Sequence, residues 1–253
     1  MSTQFHSEFP LVHTIELPNP LVALRAVAHL PWPFLLHTAA PDRHSRWSFF
    51  GAEPFAVFRG ADYDEARALW RRIARAGQAE DPPPTAVPFT GGAVGWWSYD
   101  FGRRLEARSA IAHDDLGLPD VQLAFYDVVG AFDHQTHQAW LFSSGLPLAG
   151  TLRVSRAAQR LDRFLHLFGG GRRVTSHLPA PSEEPLRAES TMTPAGYRSA
   201  VERVKKAIAA GDIYQANLSQ RWTVRLQQHD LLATSLALVE SLAAVSPAPF
   251  SAL

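Results

Sequence analysis

The sequence predicts an α+β protein in which antiparallel strands form the sheet and amphipathic helices pack outside it. Two apolar runs, Val121 to Phe132 and Gln138 to Phe142, are joined by the polar stretch Asp133-His134-Gln135-Thr136-His137, the pattern of an antiparallel pair across a turn. Two further segments, starting at Asp62 and at Leu152, place apolar residues at helical spacing with charges on the opposite side. A chain of 253 residues that is 46% hydrophobic and 11% aromatic can bury a sizeable core beneath these elements.

Taken in order, Asn19-Pro20 followed by Leu21, Leu24 and Ala28 predicts a capped helix that ends near Leu30. Pro33 to His37, Trp47 to Phe50 and Phe55 to Phe58 are short apolar runs between turn residues and read as strands. Asp62 with Glu65 three positions later opens the next helix, Ala66, Leu69, Trp70 and Ile73 form its apolar face, and Gly77 stops it. Its arginines, Arg67, Arg71, Arg72 and Arg75, read as a solvated outer face. Residues 78–88 are rich in proline and acids and predict a surface loop, and Gly91 to Tyr99 predicts a buried strand of glycines and aromatics.

The helix from Leu152 to Phe168 turns Val154, Ala157, Leu161, Phe164 and Phe168 to one face and ends in three glycines. Residues 169–190 lose all periodicity and predict a linker between a first domain, 1–168, and the start of a second, 191–253. Thr193-Pro194 then opens a helix with Tyr197, Val201, Val204 and Ile208 on one face and Gly211 as its stop. Leu218 to Leu226 alternates apolar with polar residues and predicts a half-buried strand, and Asp230 caps a last helix through Leu242. The final residues, after Ser246-Pro247-Ala248-Pro249, look like a strand with no partner in the remaining sequence, which suggests truncation.

Composition removes several function classes. Twenty-four basic residues balance twenty-four acidic ones, so nucleic acid and membrane partners are not expected. No run approaches the length of a bilayer span, and Met1 to Pro10 carries His6 and Glu8 where a secretory leader would be cationic and then apolar; a cytoplasmic protein is expected. The absence of cysteine excludes disulfides and thiolate chemistry. His134 and His137 have the spacing of a metal pair without a third ligand nearby and read as a turn. His113-Asp114-Asp115 reads as a solvated loop rather than an acid–base site. Gly91 to Gly95 lacks the lysine and following helix of a phosphate loop. Seven tryptophans and fifteen phenylalanines could stack bases, but no basic charge accompanies them, so they are assigned to the core. From the residues alone, no catalytic constellation and no metal site appear.

Four ordered blocks carry a resemblance. They are Leu35-Leu36-His37-Thr38 with Ser45-Arg46 and Ala52-Glu53-Pro54; Gly91 to Glu106 with Leu118-Pro119-Asp120 and Phe125-Tyr126-Asp127; Thr193 to Tyr197 with Ala210 to Arg221; and Ala248-Pro249-Phe250-Ser251. Together they resemble the amino-terminal half of aminodeoxychorismate synthase component I and its relative anthranilate synthase component I. His37-Thr38 and Asp100-Phe101-Gly102-Arg103-Arg104 favour the aminobenzoate branch. The resemblance implies an α+β fold of two antiparallel sheets packed as a sandwich with outer helices, incomplete in this chain. It implies amination of chorismate with ammonia from a glutamine amidotransferase partner, and magnesium bound by carboxylates of the other half, so that this chain alone is inactive. Alternatives are anthranilate synthesis and a non-catalytic tryptophan-binding module. The resemblance also implies a tryptophan pocket lined by Thr38, Ser45, Arg46, Pro249, Phe250 and Ser251, with Tyr214 and Asn217 nearby. Thr38 stands where serine is usual, keeping the hydroxyl and adding a methyl group.

Overall fold

The computed structural model describes residues 9–76, 87–106, 114–169, 187–225 and 231–253. Gly77, His113, Asp230 and most of the 169–190 linker therefore lie outside the described residues. The first elements are β1 (Leu11–Ile15), α1 (Pro20–Val27), β2 (Phe34–His37), β3 (Trp47–Gly51), β4 (Ala56–Gly60) and α2 (Tyr63–Ala76). After β5 (Gly92–Trp97), a 3-10 turn and the short α3 (Gly102–Leu105) come β6 (Val121–Tyr126), β7 (Val128–Asp133), β8 (Gln138–Ser143) and α4 (Gly150–Phe168). The chain continues through β9 (Ala188–Ser190), α5 (Pro194–Ala210), β10 (Trp222–Val224), α6 (Leu231–Val245) and β11 (Ser251–Ala252).

The helix termini follow their sequence signals. Asn19 accepts a hydrogen bond from the Val22 amide, Asp62 from the amides of Asp64 and Glu65, and Thr193 from the Gly196 amide. Gly211, at φ +82°, closes α5 by donating to the Ala207 and Ile208 carbonyls, a left-handed conformation that glycine adopts without steric cost.

A six-stranded antiparallel sheet has the order β1-β8-β7-β3-β2-β11, and a three-stranded one has the order β4-β6-β5. Their facing sides share a core of Phe34, Ala124, Tyr126 and Val129, with Leu36, Phe49, Phe89 and Val94 packed against it. The opposite side of the larger sheet, carrying Leu35, Phe50, Phe132 and Leu141, is covered by Leu24 and Val27 of α1, Phe164 of α4 and Leu236 of α6. The opposite side of the smaller sheet is covered by Ala66 and Ile73 of α2. The layers therefore run helices, sheet, sheet, helix, the predicted sandwich with outer helices. No helix among the described residues is long and apolar enough to cross a membrane.

Four expectations are corrected. Val121 to Phe132 is two strands, because the chain leaves one sheet at Asp127 and enters the other; periodicity is blind to a corner inside an apolar run. The β5 strand is not buried: among the described residues it is an edge strand paired with β6 alone, and Trp96, Trp97 and Tyr99 are exposed. Among the described residues, the 218–226 strand shrinks to β10 (Trp222–Val224), which pairs with the three residues of β9 and is exposed throughout. The last strand does have a partner, because β11 pairs antiparallel with β2, Ser251 opposite His37 and Ala252 opposite Leu36.

The tryptophans depart from expectation as a class. None of the seven is buried, whereas Phe50, Phe125, Phe142 and Phe164 are among the largest fully buried side chains. Indole is bulky and carries an N–H that must find an acceptor, so phenylalanine fills the fully buried positions and tryptophan keeps part of its surface exposed. The α2 arginines are exposed, as predicted.

Candidate functional site

Alternation along β2 and β3 separates two environments. Leu36, Thr38, Trp47 and Phe49 belong to one side, where a cavity of about 450 Å³ opens between these strands, the 44–46 turn, Pro88 and the segment Phe250–Ala252. Its apolar walls are Leu36, Trp47, Phe49, Pro88 and Phe250. The sequence-predicted residues Thr38, Ser45, Arg46, Phe250 and Ser251 all line it, drawn together from positions more than two hundred residues apart. Pro249 does not line it; its carbonyl oxygen lies 3.0 Å from the Thr38 hydroxyl. Tyr214 and Asn217 do not line the cavity; both are exposed, Tyr214 at 93%, on the irregular stretch after α5.

The polar groups expected to meet a ligand are largely engaged with the protein. The Thr38 hydroxyl lies 2.8 Å from the Trp47 carbonyl and 3.0 Å from the Pro249 carbonyl and ties the last segment to the sheet. The Ser45 hydroxyl donates to Asp42 at 2.7 Å and accepts from the Asp42 amide at 3.0 Å, closing a turn. Arg46 makes a two-pronged pair with Asp133, Nε to Oδ1 at 2.8 Å and Nη2 to Oδ2 at 2.6 Å, while its guanidinium sits 4.9 Å from the centre of the Trp47 ring. That pair, with bonds from the Gln135 amide and the Thr136 hydroxyl, holds the Asp133 carboxyl far below its ordinary value despite burial. The Ser251 hydroxyl, on the exposed rim, has no hydrogen-bond partner among the described residues. The cavity is thus suited to a flat apolar ring, with Ser251 and main-chain groups left for polar recognition.

The other side of β2 and β3 carries His37 and Ser48. Ser48 Oγ lies 3.2 Å from His37 Nδ1, 2.8 Å from His134 Nε2 and 2.9 Å from the Thr38 amide nitrogen. Burial pushes both imidazoles below their ordinary value, and each has a further histidine that acts in the same direction, His134 for His37 and His137 for His134. For His134, the Asp133 charge opposes the shift without reversing it. The spacing of His134 and His137 suggests only a metal pair or a turn and gives no sign of this link to His37. His137 is exposed in the turn at φ +55°. Among the described residues no three His, Asp or Glu side chains converge on a cation position.

A second group contains Glu53 and Asp127, which stand in the blocks of the resemblance but are given no role there. Asp127, fully buried at the corner between β6 and β7, is paired with Arg156 and Arg160 of α4. Arg160 also donates to Glu53 Oε2 at 2.7 Å and to the Glu53 carbonyl at 2.9 Å, and Arg163 pairs with both Glu53 oxygens. Burial would raise the Glu53 carboxyl, but the bonds from Arg163 and Arg160 hold it below its ordinary value. This cluster locks α4 to both sheets. An acid in the middle of an apolar run was the available signal.

The sequence profile described as chorismate binding enzyme matches residues 33–253. The anthranilate synthase component 1 of Thermus thermophilus is 31% identical over 252 residues, which cover 93% of this chain and 50% of the relative. The aminodeoxychorismate synthase component 1 of Bacillus subtilis is 27% identical, over 83% of this chain and 46% of the relative. In structure, the chain is similar to anthranilate synthase component I from Streptococcus pneumoniae, with a TM-score of 0.56 at 21% identity over 80% of this chain and 47% of the other, which supports the fold. The chain spans about half the length of the relatives it matches. Relatives of both branches stand at similar distances, so the shared property is the one assigned: this chain belongs to the chorismate binding enzyme family.

Proposed function

We propose that the protein to which this chain belongs is component I of an aminodeoxychorismate synthase, a cytoplasmic enzyme that converts chorismate to 4-amino-4-deoxychorismate with ammonia from a glutamine amidotransferase. Support comes from family membership and from His37-Thr38 and the Asp100 to Arg104 stretch, which lean toward the aminobenzoate branch. The division at 169–190 and the use of magnesium by the other half belong to the same proposal. The described residues do not themselves fit a metal site. The purified 253-residue chain is expected to show no ammonia-dependent turnover of chorismate. The whole protein is expected to give the 4-amino product in the presence of magnesium. Anthranilate as its product would replace this reading with the other branch.

Within that reading, the cavity beside Thr38 is a tryptophan pocket, and the observation that carries it is the meeting of Leu36, Trp47, Phe49 and Phe250 around a space of about 450 Å³, ample for an indole and its amino-acid head. Bound ligand at about 100 times its dissociation constant stabilises a fold by about 2.7 kcal/mol, a readily measured thermal shift. Tryptophan should raise the melting temperature more than phenylalanine does. Phe250→Ala, at a side chain 75% exposed, should weaken that shift while barely altering the melting temperature without ligand. If millimolar tryptophan moves neither the melting temperature nor a calorimetric titration, the pocket reading is wrong while the family assignment stands.

A further inference from the structure

A groove apart from the cavity beside Thr38 is built from one face of α2 and one face of β5. Tyr63, Ala66, Arg67 and Trp70 recur at the spacing that brings side chains to one side of a helix, and Ala93, Gly95 and Trp97 alternate onto one side of the strand. Together they border a space of about 400 Å³. The small residues keep it open: Ala66 and Ala93 offer a methyl group each, and Gly95 has none and cannot gain one, because an added Cβ would fall 1.8 Å from the Gln122 carbonyl oxygen. The rings of Tyr63, Trp70 and Trp97 border the same space, and each of these residues is close to half exposed. The smaller sheet separates the groove from the first cavity. Ala93 packs with Ala66 and Ile73 on the α2 side, whereas Val94 packs with Leu36 and Phe49, two walls of that cavity, in the core between the sheets.

The polar side chains of the groove are biased toward donation. A guanidinium and an indole N–H donate hydrogen bonds and accept none. Arg67, Trp70 and Trp97 have no hydrogen-bond partner among the described residues, and no described acidic side chain lines the groove. Of the four arginines of α2, only Arg67 lines it. The adjoining hollow differs. Asp62, Asp64 and Arg104 all border it, Asp62 caps α2 and Arg104 is paired with Asp120, so both signs are present there and neither is favoured in a ligand. In the groove the unmet donors and the single positive charge call for an acceptor of negative charge, and the three rings call for a flat apolar body.

We propose that the groove between α2 and β5 is a second small-molecule site, for a ligand with a flat ring and a carboxylate, the ring held by Tyr63, Trp70 and Trp97 and the carboxylate by Arg67. The aromatic side chains supply stacking area and the guanidinium a forked donor for two oxygens. The site does not rest on the tryptophan-pocket reading. Its test is a titration of the whole protein, its indoles labelled with 15N, with 2-naphthoate; Trp47→Phe, Trp70→Phe and Trp97→Phe assign the three signals needed. Trp70 and Trp97 should move together and saturate, while Trp47 reports any occupancy of the cavity beside Thr38. The amine 2-naphthylmethylamine, with the same ring and the opposite charge, should bind about tenfold more weakly or worse. Arg67→Gln should weaken naphthoate about fivefold, the loss of one exposed charge pair, and Trp70→Ala about tenfold, the loss of one ring. Arg67 is exposed, so its variant keeps the fold and the test decisive should Trp70→Ala fold poorly. Phe250→Ala, in the other cavity, should leave the response of Trp70 and Trp97 unchanged. No movement of Trp70 and Trp97 at millimolar naphthoate, movement of Trp47 alone, equal binding of the amine, or binding that survives both groove variants overturns the proposal. Self-association that Trp70→Ala abolishes, with no naphthoate bound by the wild type, overturns it too and makes the groove a contact between copies. Tryptophan that leaves Trp47 unmoved while naphthoate titrates Trp70 and Trp97 refutes the tryptophan pocket and upholds the groove.

Discussion

Asp127 shows how one side chain can be decided by its partners rather than its type. It is an acid with no exposure at all, met by two arginines that reach inward from α4. Removing one member of such a pair strands the others, so Asp127→Ala should cost about 3–5 kcal/mol in urea unfolding. Two acid-driven losses of stability should also separate on a plot of melting temperature against pH. His37 and His134 are held below 6.5 in the folded state, so their contribution is full above 6.5 and declines as pH falls beneath it toward the depressed folded values. The Asp133 contribution is full above 3.8 and is lost only below that. Arg46→Ala should remove most of the second step and leave the first, because the guanidinium partner is what depresses the Asp133 carboxyl.

Among the elements, β5 and the last segment are each sensitive to one close contact that a substitution can test. Gly95 lies so near β6 that an added Cβ would fall 1.8 Å from the Gln122 carbonyl oxygen. Backbone cannot yield as a flexible side chain can, so Gly95→Ala should displace β5 and cost about 1–3 kcal/mol or more, read by chemical denaturation. The 249–252 segment is held by the short β11 pairing and by the Thr38 hydroxyl. Thr38→Val keeps the shape and leaves the Trp47 and Pro249 carbonyls without that donor, a loss of about 1–3 kcal/mol. Thr38→Ser should be much milder, and comparing the two by denaturation isolates the hydroxyl from the methyl group.

At the scale of the whole molecule, the exposed aromatics dominate behaviour. Trp96, Trp97 and Tyr99 stand on and beside an open sheet edge, Trp222 on a second, and Tyr214 and Phe250 project from irregular segments. Open edges and large apolar side chains in water promote association. The 253-residue chain should therefore sediment as concentration-dependent oligomers, and a single monomeric species across a hundredfold range of concentration would contradict this. The balanced charge adds no long-range repulsion to oppose association.

Local signals were legible wherever physics is local. Asn19, Asp62, Thr193 and Gly211 fixed helix ends because a cap satisfies main-chain groups within four residues of itself, and the β7–β8 turn was readable from Asp133 to His137 for the same reason. Resemblance then assembled Thr38, Ser45, Arg46, Phe250 and Ser251 into one group, and the structure brings these five together. Tertiary structure alone decided that Val121 to Phe132 turns a corner, that β11 finds β2, that the tryptophans keep part of their surface exposed, and that His37 reaches His134 through Ser48. Each of these depends on which strand lies next to which, a matter of pairing across as many as 216 residues, between Leu36 and Ala252, that no periodicity records. A buried acid or imidazole is tolerated only where such pairing delivers its partner.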